Sequence, residues 1–189
     1  FAQGSSVGAD DGNATPEHVR ESFVAAMAAV AASPFSPAGG DSEALQRYPL
    51  HPYLQAARLS RHLALVRPVT TQPGGDPRLP LDDDIAAFLA QQGDRPVTRK
   101  LRSAWLAHLA ERQAWPTYLA QYREDRDTQS TLRCHWLAAR VALGQTDGLE
   151  AELTDTWLTA TSLPDACDTA LAWWRARGGP GDVMVERRA

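Results

Sequence analysis

The chain has 189 residues, of which 43% are hydrophobic and 22% charged, and it carries a formal net charge of −4. A chain of this length can bury a substantial core without metal or many disulfides, and its composition excludes wholesale disorder. The acidic balance argues against a protein that binds nucleic acid through its phosphates. No apolar run approaches the roughly eighteen residues that a membrane-spanning helix needs, so no membrane span is predicted.

The first fourteen residues differ from the rest of the chain. Residues 3–14 are polar and rich in glycine, so we predict a flexible N-terminal segment over 1–14, followed by one folded domain over 15–189. The chain starts with Phe1-Ala2-Gln3 rather than with methionine. This start fits either the removal of a secretory signal peptide, which we adopt as our interpretation, or an engineered fragment.

Helical signals follow one another along the remaining chain. Alanine, the residue with the highest helix propensity, occurs 32 times. Thr15 can cap a helix that begins at Pro16, and the acids at 82–84 are interpreted as favourable charges at a helix start rather than as a cation site. Predicted helices cover about 16–33, 42–47, 52–66, 131–143, 148–159 and 164–177, with three more that carry residues 85–89, 96–109 and 115–122.

The order of these segments predicts the fold class. No segment alternates with the period of a β-strand, and the helices are joined by short breaks, apart from a proline-rich stretch over 67–80. Successive helices joined in this way pack as antiparallel hairpins. The sequence therefore predicts an all-α fold, an α-α superhelix built as a solenoid of helix hairpins.

The sequence carries none of the common motifs for catalysis or for metal or cofactor binding. The sequence has no glycine-rich phosphate loop, no HExxH motif and no GxSxG motif. The five histidines lie on separate predicted elements, so neither a metal site nor a cofactor is predicted. Glu150, Glu152 and Asp155 share one helix but are interpreted as a solvated face rather than as the paired carboxylates of a glycosidase.

The two cysteines, Cys134 and Cys167, allow two interpretations. If they are bridged, they close a loop of about 34 residues, which would add about 3–4 kcal/mol to the stability of an oxidised protein. The alternative is two small buried residues that never meet. Their spacing fits no common zinc or redox motif and does not decide between the two.

The six tryptophans also allow two interpretations. Flat rings can stack on sugars, but each tryptophan falls on or beside an apolar helix face, which favours a place in the core. Trp173 and Trp174 are adjacent, and neighbours on a helix point about 100° apart. One of these two is therefore expected to be partly exposed.

Several segments resemble a known family. Tyr48-Pro49-Leu50-His51-Pro52-Tyr53-Leu54 is similar to the Tyr-Pro-Leu-x-Pro-Tyr-Leu segment of periplasmic soluble lytic murein transglycosylases. The similarity recurs at residues 134–138, where Cys-His-Trp is followed by an alanine, and is most specific over 157–159, 164–168 and 174–176. It covers roughly residues 45–178, which is most of the chain.

This resemblance implies an architecture and an activity. In that family such a region begins a long α-superhelical ring, and a downstream lysozyme-like domain cleaves the MurNAc–GlcNAc bond of peptidoglycan to a 1,6-anhydro product. The resemblance also implies a periplasmic location and a disulfide between Cys134 and Cys167. The family's catalytic signature is Glu-Ser followed by Gly-Leu-Met-Gln. Glu21-Ser22 lacks that continuation and lies outside the similar region, so we interpret the pair as a chance match.

The resemblance thus predicts that this chain is the truncated N-terminal part of the superhelical domain, a non-catalytic scaffold that carries no catalytic residue. Its partners would be glycan strands and the downstream superhelical and catalytic domains. The alternative is a protein-interaction module of the same repeat-type helical class. Side chains expected to face glycan are Arg58, Arg61, Arg99, Arg102 and Trp174.

Overall fold

The computed structural model describes residues 15–33, 40–67, 79–159 and 162–179. Within these ranges the regular structure is helical and contains no strand, so the prediction of an all-α fold is confirmed. The predicted flexible segment 1–14 lies outside the described residues. The helices are α1 (Pro16–Ala32), α2 (Glu43–Gln46), α3 (His51–Leu65), α4 (Pro80–Gln92), α5 (Pro96–Glu111), α6 (Trp115–Gln121), α7 (Ser130–Ala142), α8 (Leu149–Thr159) and α9 (Asp168–Arg175), with a 3-10 turn at Asp165–Cys167 before α9.

Local capping chemistry fixes where several helices begin and end. The Thr15 hydroxyl accepts a hydrogen bond from the His18 N–H, and the Ser42 hydroxyl accepts one from the Leu45 N–H, so both side chains act as N-caps. Gly144, immediately beyond the C-cap of α7, has a φ of 69°, a conformation that costs glycine little because it lacks a Cβ.

Two helix boundaries differ from the sequence prediction. α4 begins at Pro80, so Asp82 and Asp83 lie inside its first turn, and Asp82 is 2% exposed. The segment predicted as one helix over 164–177 is divided. Pro164 is extended and its carbonyl accepts from the Cys167 N–H three residues later, which gives a 3-10 turn before α9.

The chain forms two compact units, and each is described by itself. Among the described residues, unit 1 consists of residues 15–33, 40–67 and Pro80–Leu101, and unit 2 consists of Leu79 and residues 102–159 and 162–179. In unit 1, α3 packs against α1 and α4. In unit 2, α7 packs against α6, α8, the 3-10 turn and α9. Helices close in sequence therefore pack together in each unit, as expected for helix hairpins.

Each unit has its own apolar cluster. In unit 1, Val30, Leu45 and Leu54 are buried, and the rings of Phe23 and Tyr48 lie against them with centroids 5.4 Å apart. In unit 2, the buried cluster contains Leu137, Leu149, Leu153, Leu171 and Trp174 around a disulfide between Cys134 and Cys167. The Cα atoms of the two cysteines are 4.5 Å apart, and the pairing is the one that the resemblance implies.

The tryptophan side chains correct one expectation. Trp174 is 3% exposed and packs edge-on against Trp157, with ring centroids 6.3 Å apart. A Cβ at Gly179 would overlap the Trp174 indole, so the chain itself covers that ring. Trp174 therefore does not face a glycan, because α9 turns it into the core. The partly exposed member of the pair is Trp173, whose ring lies 4.1 Å from the Arg177 guanidinium carbon.

Candidate functional site

A buried charge cluster lies in unit 1, where Asp41 pairs with both Arg58 and His51. Arg58 donates from Nη1 to Asp41 Oδ2 at 2.6 Å and from Nη2 to Oδ1 at 2.7 Å, a bidentate arrangement. The Nε2 atom of His51 lies 2.9 Å from the same Oδ2. The side chains of Asp41, Arg58 and His51 are 6%, 12% and 11% exposed. Arg58, expected to face glycan, is therefore mostly engaged by a carboxylate of its own chain.

The cluster keeps its carboxylate ionised. The hydrogen bonds from Arg58 lower the pKa of Asp41 below its ordinary value, burial opposes that shift, and the contact with His51 adds to the lowering. The charges of Asp41 and Arg58 compensate each other, so this part of unit 1 presents polar groups with little net charge.

A polar cavity of about 340 Å³ opens at this cluster. Its residues come from α2, α3 and α4 and from the residue before the Ser42 cap, so three packed helices form its walls. Four of its side chains are glutamines, and we call it the glutamine pocket. It is lined by Asp41, Gln46, His51, Pro52, Gln55, Arg58, Gln91 and Gln92.

The segment 48–54 explains how His51 reaches this pocket. The His51 N–H donates to the Tyr48 carbonyl at 2.8 Å, and Pro52 occupies the first turn of α3, where its missing N–H costs nothing. Tyr48 packs on Phe23, and Leu54 is fully buried. The apolar positions of the segment thus fix the start of α3, and His51, at the variable position of the motif, points into the polar cluster.

The other three arginines that were expected to face glycan differ in their exposure to solvent. Arg61 on α3 and Arg99 on α5 are exposed. Arg102 is 13% exposed and donates from Nε and Nη2 to the two oxygens of Asp127, each at 2.8 Å. It also donates to the Gln121 carbonyl. Arg102 therefore joins α5 to the loop after α6, and this engagement does not support the prediction that it faces glycan.

A second cavity, of about 300 Å³, lies in unit 2 beside Arg133. Arg133 pairs with Glu124 and donates to Glu152 Oε2 at 2.7 Å. Glu152 is only partly exposed, whereas Glu150 and Asp155 on the same helix are exposed, as expected for a solvated face. Within the described residues no group of three histidine, cysteine or acidic side chains could hold a metal ion.

Aromatic rings beside this cavity stack on one another. The rings of Tyr118 and Tyr122 are 6.0 Å apart and those of Tyr122 and Trp136 are 5.8 Å apart. The Arg140 guanidinium carbon lies 4.7 Å from the Trp136 ring centre. The Tyr118 hydroxyl donates to the Leu132 carbonyl at 2.7 Å, and burial raises its pKa. Tyr118 and Tyr122 are buried among protein partners, whereas the half-buried Trp136 also lines an open cavity of about 620 Å³.

His135, which meets Tyr118 edge-on, leads to a pH prediction. Burial lowers the pKa of His135 below 6.5 in the folded chain, with a smaller opposing effect from Glu111. The unfolded chain therefore binds the proton more readily, and unit 2 should lose stability as the pH falls below 6.5. We expect His135→Gln to weaken this pH dependence in urea unfolding followed by tryptophan fluorescence.

Replacement of the exposed His62 in unit 1 is the control, and it should leave the pH dependence of unit 2 unchanged. Equal slopes for the original chain and His135→Gln below pH 6.5 would contradict the prediction.

No protein-family model matches the chain. Individual curated proteins do match it. A soluble lytic murein transglycosylase of Salmonella typhimurium is 29% identical over 134 residues, and the protein of that name from Escherichia coli K12 is 28% identical over the same length. Each alignment covers 71% of this chain.

Over most of its length the chain is similar to soluble lytic murein transglycosylases. The match spans only 18% of the length of those relatives. The similarity therefore supports the ancestry of this segment, and what the whole relatives do comes to this chain only by proposal. No helix among the described residues is long and apolar enough to cross a membrane.

Of the residues that line the glutamine pocket, only Arg58 is among the candidate site residues predicted from the sequence. His51 belongs to the motif over residues 48–54, but its hydrogen-bond partner, Asp41, lies ten residues earlier in the sequence. Gln55 and Gln91 carry no recognisable spacing. Only the packing of α3 against α4 brings them to one cavity.

Proposed function

We propose that this chain is a non-catalytic scaffold segment of a lytic transglycosylase that cleaves the MurNAc–GlcNAc bond of peptidoglycan to 1,6-anhydro products. The observation that carries the proposal is the alignment with soluble lytic murein transglycosylases over 71% of the chain. The all-α fold with packed helix hairpins supports it, because a scaffold of this kind needs rigid helices and no reactive group.

The pairing of two buried carboxylates with arginines agrees with a structural role. Asp41 and Asp127 each accept two hydrogen bonds from an arginine, so each carboxylate is one half of a bidentate pair. The acid of a glycosidic cleavage must instead hold a proton near neutral pH, in surroundings that raise its pKa. Asp41 is held in the opposite way, since its pKa is lowered.

The disulfide supports the proposed location. Cys134 and Cys167 are both buried and bonded to each other, and such a bond persists in an oxidising compartment. We therefore propose that the chain works in the periplasm, next to the peptidoglycan layer.

Purified peptidoglycan sacculi test the proposal. The 189-residue chain should sediment with sacculi, should be released when a muramidase digests the glycan, and should itself release no 1,6-anhydro-muropeptides. An unrelated acidic protein of similar size is the control for non-specific trapping.

Two results would contradict the proposal. A chain that stays in solution would favour the repeat-type interaction module instead. Release of anhydro-muropeptides that is lost in Glu21→Gln would identify the exposed Glu21 as a catalytic acid.

A further inference from the structure

We propose that the glutamine pocket binds one N-acetylated sugar unit of a glycan strand. The proposal deepens the proposed function and rests on it for the source of the glycan. Three properties of the pocket support the proposal. They are the free amides of Gln55 and Gln91, the paired charges of Asp41 and Arg58 with the His51 contact, and walls that are already held in place.

Two side-chain amides in the pocket are available to a ligand. Gln55 on α3 is half-buried and Gln91 on α4 is exposed, and neither side chain has a hydrogen-bond partner among the described residues. Each amide offers one carbonyl acceptor and two N–H donors. Sugar hydroxyls and acetamide groups both donate and accept, so two amides on adjacent helices match their chemistry.

The charged groups of the pocket favour a neutral ligand. Asp41 and Arg58 form a bidentate pair, and His51 takes a third contact to the carboxylate. An ionised carboxylate has about four lone-pair sites, so one remains to accept a hydroxyl or amide N–H. The charges of Asp41 and Arg58 compensate each other, so a carboxylate or phosphate ligand would meet no net positive charge here, although the buried Nε of Arg58 keeps an N–H without a partner among the described residues.

The walls of the pocket are held in place before any ligand arrives. Gln46 donates from Nε2 to the Asp41 carbonyl at 2.9 Å, and the Gln92 Oε1 atom accepts from Arg95 at 3.2 Å. Groups fixed in this way lose little conformational entropy on binding. A volume of about 340 Å³ is at the lower end of the range for small-molecule sites and suits a sugar unit rather than a long chain.

Protein NMR with a defined disaccharide tests the proposal. The six tryptophans at 105, 115, 136, 157, 173 and 174 all belong to unit 2, so tryptophan fluorescence would not report on a site in unit 1. In titrations of the ¹⁵N-labelled 189-residue chain with N,N′-diacetylchitobiose, we expect saturable shifts of the backbone amides of Asp41, His51, Gln55 and Gln91. Cellobiose, which has the same linkage but no acetamides, should bind at least tenfold more weakly.

Matched glutamine variants identify the contacts. Gln55→Ala and Gln91→Ala should each raise the dissociation constant about 3- to 10-fold, the effect of losing one neutral hydrogen bond. Both keep good helix propensity and should fold. Gln121→Ala, on α6 in unit 2, removes a half-buried glutamine outside the pocket and should leave binding unchanged.

The following results of the titrations and the sedimentation assay would overturn the proposal. An absence of saturable shifts at the four pocket residues, equal binding of cellobiose, or equal losses in Gln55→Ala and Gln121→Ala would contradict it. If the chain sediments with sacculi and the Gln55→Ala, Gln91→Ala double variant sediments equally well, the pocket proposal fails and the proposed function stands. If the chain does not sediment, the proposed function fails, whatever the disaccharide titration shows.

Discussion

Asparagine in place of Asp127 is expected to lower the free energy of unfolding of unit 2 by about 3–5 kcal/mol. The Asp127 side chain is 2% exposed and accepts two hydrogen bonds from Arg102 and one from the Arg123 N–H. The variant would leave the Arg102 guanidinium, 13% exposed, without a compensating charge. Urea unfolding followed by tryptophan fluorescence measures the loss, because the tryptophans lie in unit 2.

The same loop offers a matched control. Asp125 is 77% exposed and lies 3.8 Å from Arg126, so Asp125→Asn should change stability by less than about 1 kcal/mol. Replacing both partners of the buried pair, as Arg102→Met with Asp127→Leu, should recover much of the stability that Asp127→Asn loses. Equal losses in Asp125→Asn and Asp127→Asn would contradict the interpretation.

Removal of the disulfide is expected to cost unit 2 about 3–4 kcal/mol. Cys134 and Cys167 are 33 residues apart, and cross-linking a loop of this length reduces the entropy of the unfolded chain by that amount in the chain-entropy model. The double variant Cys134→Ala, Cys167→Ala, unfolded in urea and followed by tryptophan fluorescence, measures the effect.

Reduction of the original chain is the control, because it breaks the same bond without changing the packing volume. A reduced chain and a double variant that both unfold at the urea concentration of the oxidised chain would show that the cross-link adds nothing. A loss in the variant alone would instead be attributed to the missing sulfur atoms in the core.

The helices could be predicted from the sequence because the residues that start and stop them lie next to the helix ends. Thr15 and Ser42 act as the caps that their residue types favour, and Gly144 ends α7 as predicted. α4 starts earlier than predicted because Pro80, the last residue of the proline-rich stretch, forms the first helical turn instead of belonging to the loop. A proline favours that position without requiring it, so the boundary could not be decided from the sequence.

The candidate site could not be predicted in the same way, because its contacts join distant residues. Arg58 meets Asp41 across 17 positions, and Arg102 meets Asp127 across 25. Helix periodicity shows which face a side chain occupies but not which carboxylate lies opposite. For the same reason, adjacency predicted that one of Trp173 and Trp174 is partly exposed, but only the packing of α9 shows that it is Trp173.

The position of the cysteines has a consequence for biogenesis. Both sulfurs belong to unit 2, and every residue of unit 1 precedes Arg102 in the chain. The residues of the charge cluster are therefore synthesised before either cysteine. In a cell that lacks a thiol oxidase, unit 2 would lack its cross-link, whereas unit 1 contains no cysteine, so proteolysis would be expected to begin in unit 2.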